Sequence, residues 1–280
     1  MKLKHAVFSV FLALTLSSCV TGFNLDEFFE SLDPGSTNPA NSNAVGEKKK
    51  TETILVDRRT DSPSGSAPAL AARRANPDAA NWDIEKLDTA KDADYLSPVE
   101  KDVILEMNKV RSDPKKYAEL YIKPRLQNYN GNMYSESGKT TIRTNEGRKA
   151  AEGCYNALIK MQAVPLLFPE KGLSLAAKDH VNDQSKTGRT GHDGSDKSTP
   201  FTRMGRYGKG YKTAGENIAY GTNTGRDIIV NLLIDDGVPS RGHRQNIMKR
   251  DYNQTGTAAG GHTQYGSMCV IVYANGYINN

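Results

Sequence analysis

The chain has 280 residues, of which 37% are hydrophobic and 25% are charged, and its net charge is +5. A chain of this length can bury one sizeable core or two small ones. The mean hydropathy of −0.62 is low for a chain that is packed throughout, which predicts that part of it is disordered. The only compact basic run extends from Lys48 to Lys50 without an aromatic platform beside it, so no nucleic-acid partner is expected.

The amino-terminal residues predict export. A basic start precedes the apolar stretch AVFSVFLALTL at 6–16, which is shorter than the roughly 20 residues needed to cross a bilayer. This arrangement is typical of a secretory signal peptide, and residues 1–18 are predicted to form one. The stretch is followed by LSSC, which resembles the bacterial lipobox, so Cys19 is the predicted lipidation site. Ordinary signal cleavage beside an incidental cysteine is the alternative.

Lipidation of Cys19 would make the membrane a partner of the chain, because each buried CH₂ group contributes about 0.8 kcal/mol to anchoring. Val20 follows the cysteine, where an aspartate would indicate retention in the inner membrane. The expected location is therefore the bacterial cell envelope, at the outer membrane or the cell surface rather than the inner membrane. Residues 19–92 are rich in Ser, Pro, Asn, Gly and Ala and lack sustained periodicity, which predicts a disordered linker after the lipidated cysteine.

A folded domain is predicted over residues 93–280. Ser97, Pro98 and Glu100 form a helix-start signal, since they supply a cap, a first-turn proline and the glutamate of a capping box. Apolar periodicity and turn residues predict helices near 98–111, 114–120, 145–161, 170–187 and 225–236, and strands near 252–259 and 268–274. The region between these last helices is expected to be rich in loops. This order of elements predicts an α+β domain.

Cys154 and Cys269 are the cysteines that remain if Cys19 is lipidated. An exported compartment permits a disulfide between them, and two buried free thiols are the alternative. The segment GRYGKGYKT at 205–213 resembles a phosphate-binding loop. Its lysine–threonine pair comes one residue too late and no apolar strand precedes it, so it is interpreted as a surface loop.

Two histidines are candidate site residues. His192 and His243 each follow a glycine in a predicted loop, so their rings can point into a concave site. Acidic residues occur near both in sequence, among them Glu216. Two imidazoles could bind Zn²⁺ or another divalent metal, whereas a histidine–carboxylate pair could act as a general base without metal. His180 is interpreted as a helix-face histidine bonded to backbone, and His262 as an exposed turn residue.

The segments GHDGSD, GENIAYG and DDGVPSRGHRQNI, in this order, resemble the signature of the CAP superfamily, which includes the cysteine-rich secretory proteins. The resemblance covers about residues 95–280 and implies a three-layer αβα sandwich with a central cleft. It also implies a tetrad in that cleft, with His192, Glu216 and His243 as three members. Asp235, preferred to Asp236, stands where the family usually has a second glutamate. Because its side chain is one methylene shorter, two alternatives stay open for Asp235: a direct contact with its partner, or a contact through water.

The resemblance leaves the activity open, because no single reaction is common to the family. The favoured hypothesis is a membrane-anchored binding module whose cleft takes a divalent metal, a lipid or an envelope ligand. One alternative is a metal-assisted, peptidase-like hydrolase of envelope or extracellular substrates. Its catalytic residues would be His192, Glu216, Asp235 and His243, with the two histidines as metal ligands. The other alternative is a surface interaction protein that uses the loops at 121–145 and 188–213.

Overall fold

The structure is a computed structural model, and it describes residues 81–280. Its helices are α1 (Ile84–Leu87), α2 (Pro98–Ser112), α3 (Pro114–Tyr117), α4 (Arg148–Leu158), α5 (Lys171–Thr187), α6 (Pro200–Gly205), α7 (Gly225–Ile234) and α8 (Gly242–Met248). A π-helical turn at Ala118–Ile122 and a 3₁₀ helix at Lys123–Asn128 continue α3. The predicted signal peptide, Cys19 and the predicted linker up to residue 80 lie outside the described residues. None of the helices described is long and apolar enough to cross a membrane.

The strands within residues 81–280 form three sheets. They are β1 (Tyr129–Asn130), β2 (Met133–Tyr134), β3 (Ile142–Arg143), β4 (Phe168–Pro169), β5 (Gly208–Lys209), β6 (Thr213–Tyr220), β7 (Gln254–His262), β8 (Gly266–Asn275) and β9 (Ile278–Asn279). The main sheet has the order β4-β7-β8-β6. Strand β8 pairs antiparallel with β7 on one side and with β6 on the other, and β4 pairs parallel to β7.

Strand β8 separates two hydrophobic cores, because successive side chains of a strand point to opposite faces. Cys269, Ile271 and Tyr273 face a core formed with α2, α4 and α7. Val270 and Val272 face a second core formed mainly with α5. Helices therefore cover both faces of the main sheet, which confirms the predicted α+β class and its three-layer αβα arrangement.

The folded region begins earlier than the predicted boundary at residue 93. Trp82, Leu87 and Ala90 are buried in the core that contains α2, and the Trp82 indole donates a 2.9 Å hydrogen bond to the Tyr121 hydroxyl. The linker prediction was therefore wrong for its last residues. The three apolar side chains in this otherwise polar stretch are too widely spaced to show the periodicity of a helix or a strand. All three are nevertheless buried in the core that contains α2.

Strand β6 was not predicted, because the whole region before α7 was expected to be rich in loops. Its sequence, TAGENIAY, contains a glycine and two adjacent polar residues, Glu216 and Asn217, which hide the alternation of a half-buried strand. In the structure β6 pairs with β8 along its full length, from Thr213 opposite Asn275 to Tyr220 opposite Met268. The strand thus places Glu216 in a rigid sheet rather than in a loop.

The two cysteines of the described region are free and buried. The disulfide alternative for Cys154 and Cys269 is therefore wrong, and the buried-thiol alternative is correct. Cys154 lies on α4 and Cys269 on the central strand β8, where burial raises the pKa of both thiols, that of Cys154 to about 11. Thiols with raised pKa values are weak nucleophiles, so neither is suited to redox chemistry.

Arg111, at the end of α2, fixes the position of α8 through hydrogen bonds to backbone carbonyls. Its fully buried guanidinium donates to the carbonyls of Ile247 at 2.6 Å, Lys249 at 3.1 Å and Tyr252 at 2.6 Å. Its Nε donates to the carbonyl of Pro165 at 2.7 Å. Four carbonyls from two distant segments thus depend on one side chain, and α8 is the helix that carries His243.

We predict that Arg111→Met lowers the free energy of unfolding by at least about 3 kcal/mol, because several buried carbonyls lose their donor at once. Arg148→Met is the matched control, since the Arg148 side chain is 54% exposed and forms an ion pair with the exposed Glu152. Its expected effect lies within about 0.5 kcal/mol. Urea unfolding of both variants measures the difference. Equal unfolding midpoints for the two would contradict the role assigned to Arg111.

Candidate functional site

The first histidine–carboxylate pair joins the loop after α5 to strand β6. His192 Nδ1 lies 2.8 Å from Glu216 Oε1. The loop is held by Gly191, whose carbonyl accepts from His180 Nε2 at 2.8 Å and from Gln184 Nε2 at 2.6 Å. Gly191 has a φ of +99°, a backbone conformation that favours glycine. Helix α5 therefore positions His192 through the backbone of the residue before it.

Arg203 completes this pair from α6, and sequence analysis missed it. Its buried guanidinium donates to Glu216 Oε2 at 2.9 Å, to the carbonyl of His192 at 3.0 Å and to the carbonyl of Ser198 at 2.9 Å. The same side chain therefore neutralises the acid and holds the backbone of its histidine partner. An arginine in a six-residue helix has no sequence signal that separates it from a surface arginine.

Glu216 is fully buried, yet it is held in its ionised form. Burial alone would raise the pKa of this carboxyl group, but the hydrogen bond from His192 and the charge of Arg203 outweigh burial and lower it. An ionised carboxylate is only an acceptor, so the His192 Nδ1 must carry the proton of the hydrogen bond between them. A ligand would then meet the other ring nitrogen, Nε2.

The second pair lies where α7 ends and α8 begins. His243 Nδ1 is 2.6 Å from Asp235 Oδ1, and the His243 backbone N–H donates to Asp235 Oδ2 at 2.9 Å. The contact is therefore direct, and the water-mediated alternative is wrong. Asp235 is the C-cap of α7, with a φ of +59°, and this left-handed turn brings the start of α8 to the carboxylate. The backbone thus supplies the reach that the shorter side chain lacks.

Asp236 does not join this pair. Its carboxylate accepts from the backbone N–H groups of Asn145 at 2.7 Å and Glu146 at 2.8 Å, ahead of α4. Glu146 in turn binds Arg241 through both carboxylate oxygens, at 2.6 and 2.5 Å. Asp236 therefore ties the turn after α7 to another part of the fold, and Asp235 is the acid that meets His243.

Strand β6 connects the two pairs. Glu216 and Asn217 are adjacent and so point to opposite faces of the strand. Asn217 Nδ2 donates to the His243 carbonyl at 3.0 Å, and Asn246 Nδ2 donates to Asn217 Oδ1 at 2.9 Å. One histidine pair is therefore attached to each face of β6, through neighbouring residues.

The four side chains do not converge as one set of metal ligands. Within residues 81–280, no group of three or more His, Cys, Asp or Glu side chains is arranged to hold a metal ion. Both oxygens of Glu216 and both oxygens of Asp235 already accept hydrogen bonds. The carboxylates are thus orienting groups for the histidines, and a bound cation would meet at most the two imidazoles.

The other candidates are placed away from the two pairs or in supporting roles. His180 is a helix-face histidine bonded to backbone, as predicted. His262 was predicted to be exposed, but it is only 4% exposed and its Nε2 lies 2.9 Å from the Arg189 carbonyl. The glycine-rich segment that resembled a phosphate loop contributes α6 residue Gly205 and strand β5.

Residues 109–274 match the family described as CAP, the cysteine-rich secretory protein family. The uncharacterized protein YkwD of Bacillus subtilis (strain 168) is 30% identical over 113 residues, which are 40% of this chain and 41% of that protein. A crystal structure of an extracellular protein containing a SCP domain from Bacillus anthracis str. Ames gives a TM-score of 0.34 at 24% identity, covering 40% of this chain and 34% of that one. An outer surface protein from Borrelia burgdorferi gives 0.34 at 17% identity, covering 45% and 86%.

We predict that Arg203→Met lowers the free energy of unfolding by about 3–5 kcal/mol, because it leaves a buried carboxylate without its cation. The double variant Arg203→Met/Glu216→Gln should recover part of this loss, since the charge is then removed as well. Arg206→Met, at the exposed residue that directly follows α6, is the control and should have little effect. Urea unfolding of five chains forms a double-mutant cycle with a control: the unmodified chain, the single variants Arg203→Met and Glu216→Gln, the double variant and Arg206→Met. Additive losses at Arg203 and Glu216 would rule out the coupling.

Proposed function

Because the chain belongs to the CAP family, we propose that it is an exported binding module, anchored at the cell envelope through Cys19, whose cleft binds a divalent metal ion. The metal site is supported by one observation: each of the two carboxylates is hydrogen-bonded to a histidine ring. Glu216 and Asp235 each hold the Nδ1 side of one histidine, at 2.8 and 2.6 Å. The ligating atoms would then be the Nε2 atoms of His192 and His243.

This arrangement matches the usual surroundings of metal-binding histidines. Such histidines generally donate their second ring N–H to a carboxylate, which fixes the tautomer and raises the basicity of the ligating nitrogen. Imidazole nitrogen suits Zn²⁺ and related divalent ions. The donor set therefore fits a site of two imidazoles that water or a bound ligand completes. A bound ion would supply a positive charge and open coordination positions for oxygen or nitrogen atoms of that ligand.

A hydrolase is supported less well than a binding module. Catalytic zinc sites usually have three protein ligands, and this donor set offers two. The residue that would serve as the general base, Glu216, is also engaged by Arg203 at 2.9 Å and by His192. Both oxygens of its carboxylate already accept hydrogen bonds, and its lowered pKa makes it a weak base toward water.

We predict that the purified full chain binds Zn²⁺ in titration calorimetry and that His192→Ala and His243→Ala each abolish measurable binding. Asp235→Asn should weaken binding about 10- to 100-fold, because the histidine loses the carboxylate that orients it. His262→Gln removes an imidazole whose ring nitrogens bond the backbone, so it should bind zinc like the unmodified chain. A chain that binds neither Zn²⁺ nor Co²⁺ would refute the metal site.

The anchoring part of the proposal rests on the amino-terminal sequence. A basic start, an apolar stretch too short to span a bilayer and the LSSC segment precede the family domain in that order. The family's description as secretory proteins agrees with export. A cleft on an exported, anchored domain would meet ligands outside the cytoplasm.

We predict that Cys19→Ala moves the protein from the membrane fraction to the soluble fraction of producing cells, because the acyl chains have no other attachment point. Cys154→Ala is the control, since that thiol is buried in the folded region, and its product should remain with the membranes. Immunoblots of separated fractions measure both. A Cys19→Ala protein that still sediments with membranes would contradict lipidation at this residue.

A further inference from the structure

Strand β6 contacts the segment that carries His192 at two places. Glu216 bonds to the His192 ring, and Tyr220, further along the strand, bonds to the backbone of Gly191. Successive side chains of a strand alternate between its faces, so Glu216 and Tyr220 point to the same side of the sheet. This is the side that α5 covers, and the Tyr220 ring packs against the core formed there. One face of one strand therefore reaches both the ring of this histidine and the residue before it.

The Tyr220 hydroxyl belongs to a closed set of three hydrogen bonds around Gly191. It accepts from the Gly191 N–H at 3.1 Å and donates to Gln184 Oε1 at 2.7 Å. Gln184 Nε2 donates in turn to the Gly191 carbonyl at 2.6 Å. Burial raises the pKa of Tyr220 to about 12, so the hydroxyl keeps the proton that it donates. Tyr220 and Gln184 thus hold both backbone groups of one residue, and we call this pair the Gly191 clamp.

The Gly191 clamp acts on a residue whose backbone lies outside regular secondary structure. Gly191 has a φ of +99°, a conformation that favours glycine, and α5 has already ended. His180 also donates to the Gly191 carbonyl at 2.8 Å, but the Gly191 N–H donates to Tyr220. Loss of the hydroxyl would release this N–H and remove the donor of the carboxamide oxygen of the fully buried Gln184. Rotation of the backbone at Gly191 would then move the Cα of His192.

A small displacement matters more for a metal ligand than for an ordinary side chain. Zn–N distances in proteins are about 2.0–2.1 Å, and well-formed sites depart from them by only about 0.2 Å. Glu216 fixes the direction in which the His192 ring points, whereas the backbone sets the place from which the ring extends. The Gly191 clamp supplies this second restraint.

We propose that Tyr220 is a positioning residue for the metal site. Through the Gly191 clamp it fixes the backbone from which His192 presents Nε2, while Glu216 fixes the tautomer and the direction of the ring. The inference rests on the proposed function, because it concerns the metal affinity of the same site. A hydroxyl with a purely structural role would instead lower the stability of the chain and leave its zinc affinity unchanged.

The first test is zinc calorimetry of Tyr220→Phe, which removes the hydroxyl and keeps the ring. We expect a dissociation constant at least about tenfold higher than that of the unmodified chain, as when a group that orients a metal-binding histidine is lost. Tyr265→Phe is the matched control, because it removes a hydroxyl from a half-exposed ring whose centroid lies 5.3 Å from that of Tyr220. Ile104→Val shortens a fully buried side chain in the other core and controls for lost stability. Both controls should bind zinc like the unmodified chain.

A second measurement, made without metal, separates this inference from the metal site itself. Two-bond ¹H–¹⁵N spectra of the histidine rings report which nitrogen of His192 carries the proton. We expect Nδ1–H in the unmodified chain, since the ionised Glu216 accepts from it. In Tyr220→Phe we expect a mixture of both tautomers, because the ring is displaced from its acceptor.

Zinc binding and the His192 spectrum can fail independently. An unmodified chain that binds no zinc would reject the metal site, and the His192 spectrum would then decide the positioning role alone. Zinc binding as tight in Tyr220→Phe as in the unmodified chain would overturn the positioning role, and so would an unchanged His192 spectrum in that variant. Weaker zinc binding together with a mixture of tautomers, in Tyr220→Phe and in neither control, is the expected result.

Discussion

The two-residue period of strand β6 is the constraint on which the site depends. Adjacent residues of a strand face opposite sides of the sheet, so Glu216 and Asn217 cannot serve the same face. Glu216 meets His192 on the side covered by α5, and Asn217 binds the His243 carbonyl and the Tyr273 hydroxyl on the other side. Two consecutive polar residues in an otherwise buried strand thus attach one histidine pair to each layer of helices.

The same strand explains why the residue before Glu216 is a glycine. A Cβ at Gly215 would lie 2.6 Å from the Tyr252 hydroxyl and 3.2 Å from Asn246 Oδ1. Asn246 cannot retreat, because its amide nitrogen is bonded to Asn217 at 2.9 Å and it lies on the helix that also carries His243. A side chain at position 215 would therefore displace the Tyr252 hydroxyl and press on Asn246, the residue of α8 that is bonded to β6.

The sequence predicted the parts of this protein that follow local rules. The capping box at Ser97 and Glu100 and the left-handed cap at Gly188 depend only on neighbouring residues, and both form as expected. Family resemblance supplied the four site residues, and the structure brings them into two direct pairs. Arg203 and strand β6 were missed for a common reason. The Arg203 side chain and the polar residues of β6 are stabilised by partners that are distant in sequence, and no local pattern reports such contacts. The reach of Asp235 stayed open because a left-handed backbone turn, not side-chain length, sets it.

The state of the carboxylates decides what kind of chemistry this site can perform. A general base needs a carboxylate oxygen that can take a proton, and a carboxylate ligand needs a lone pair directed at the metal. The two oxygens of Glu216 accept hydrogen bonds from Arg203 and His192. The two oxygens of Asp235 accept hydrogen bonds from the ring and the backbone N–H of His243. Both acids therefore act through their histidines, and the protein presents imidazole nitrogen at its cleft. Because both carboxylates are engaged before a ligand arrives, this arrangement supports the proposed binding module over the hydrolase.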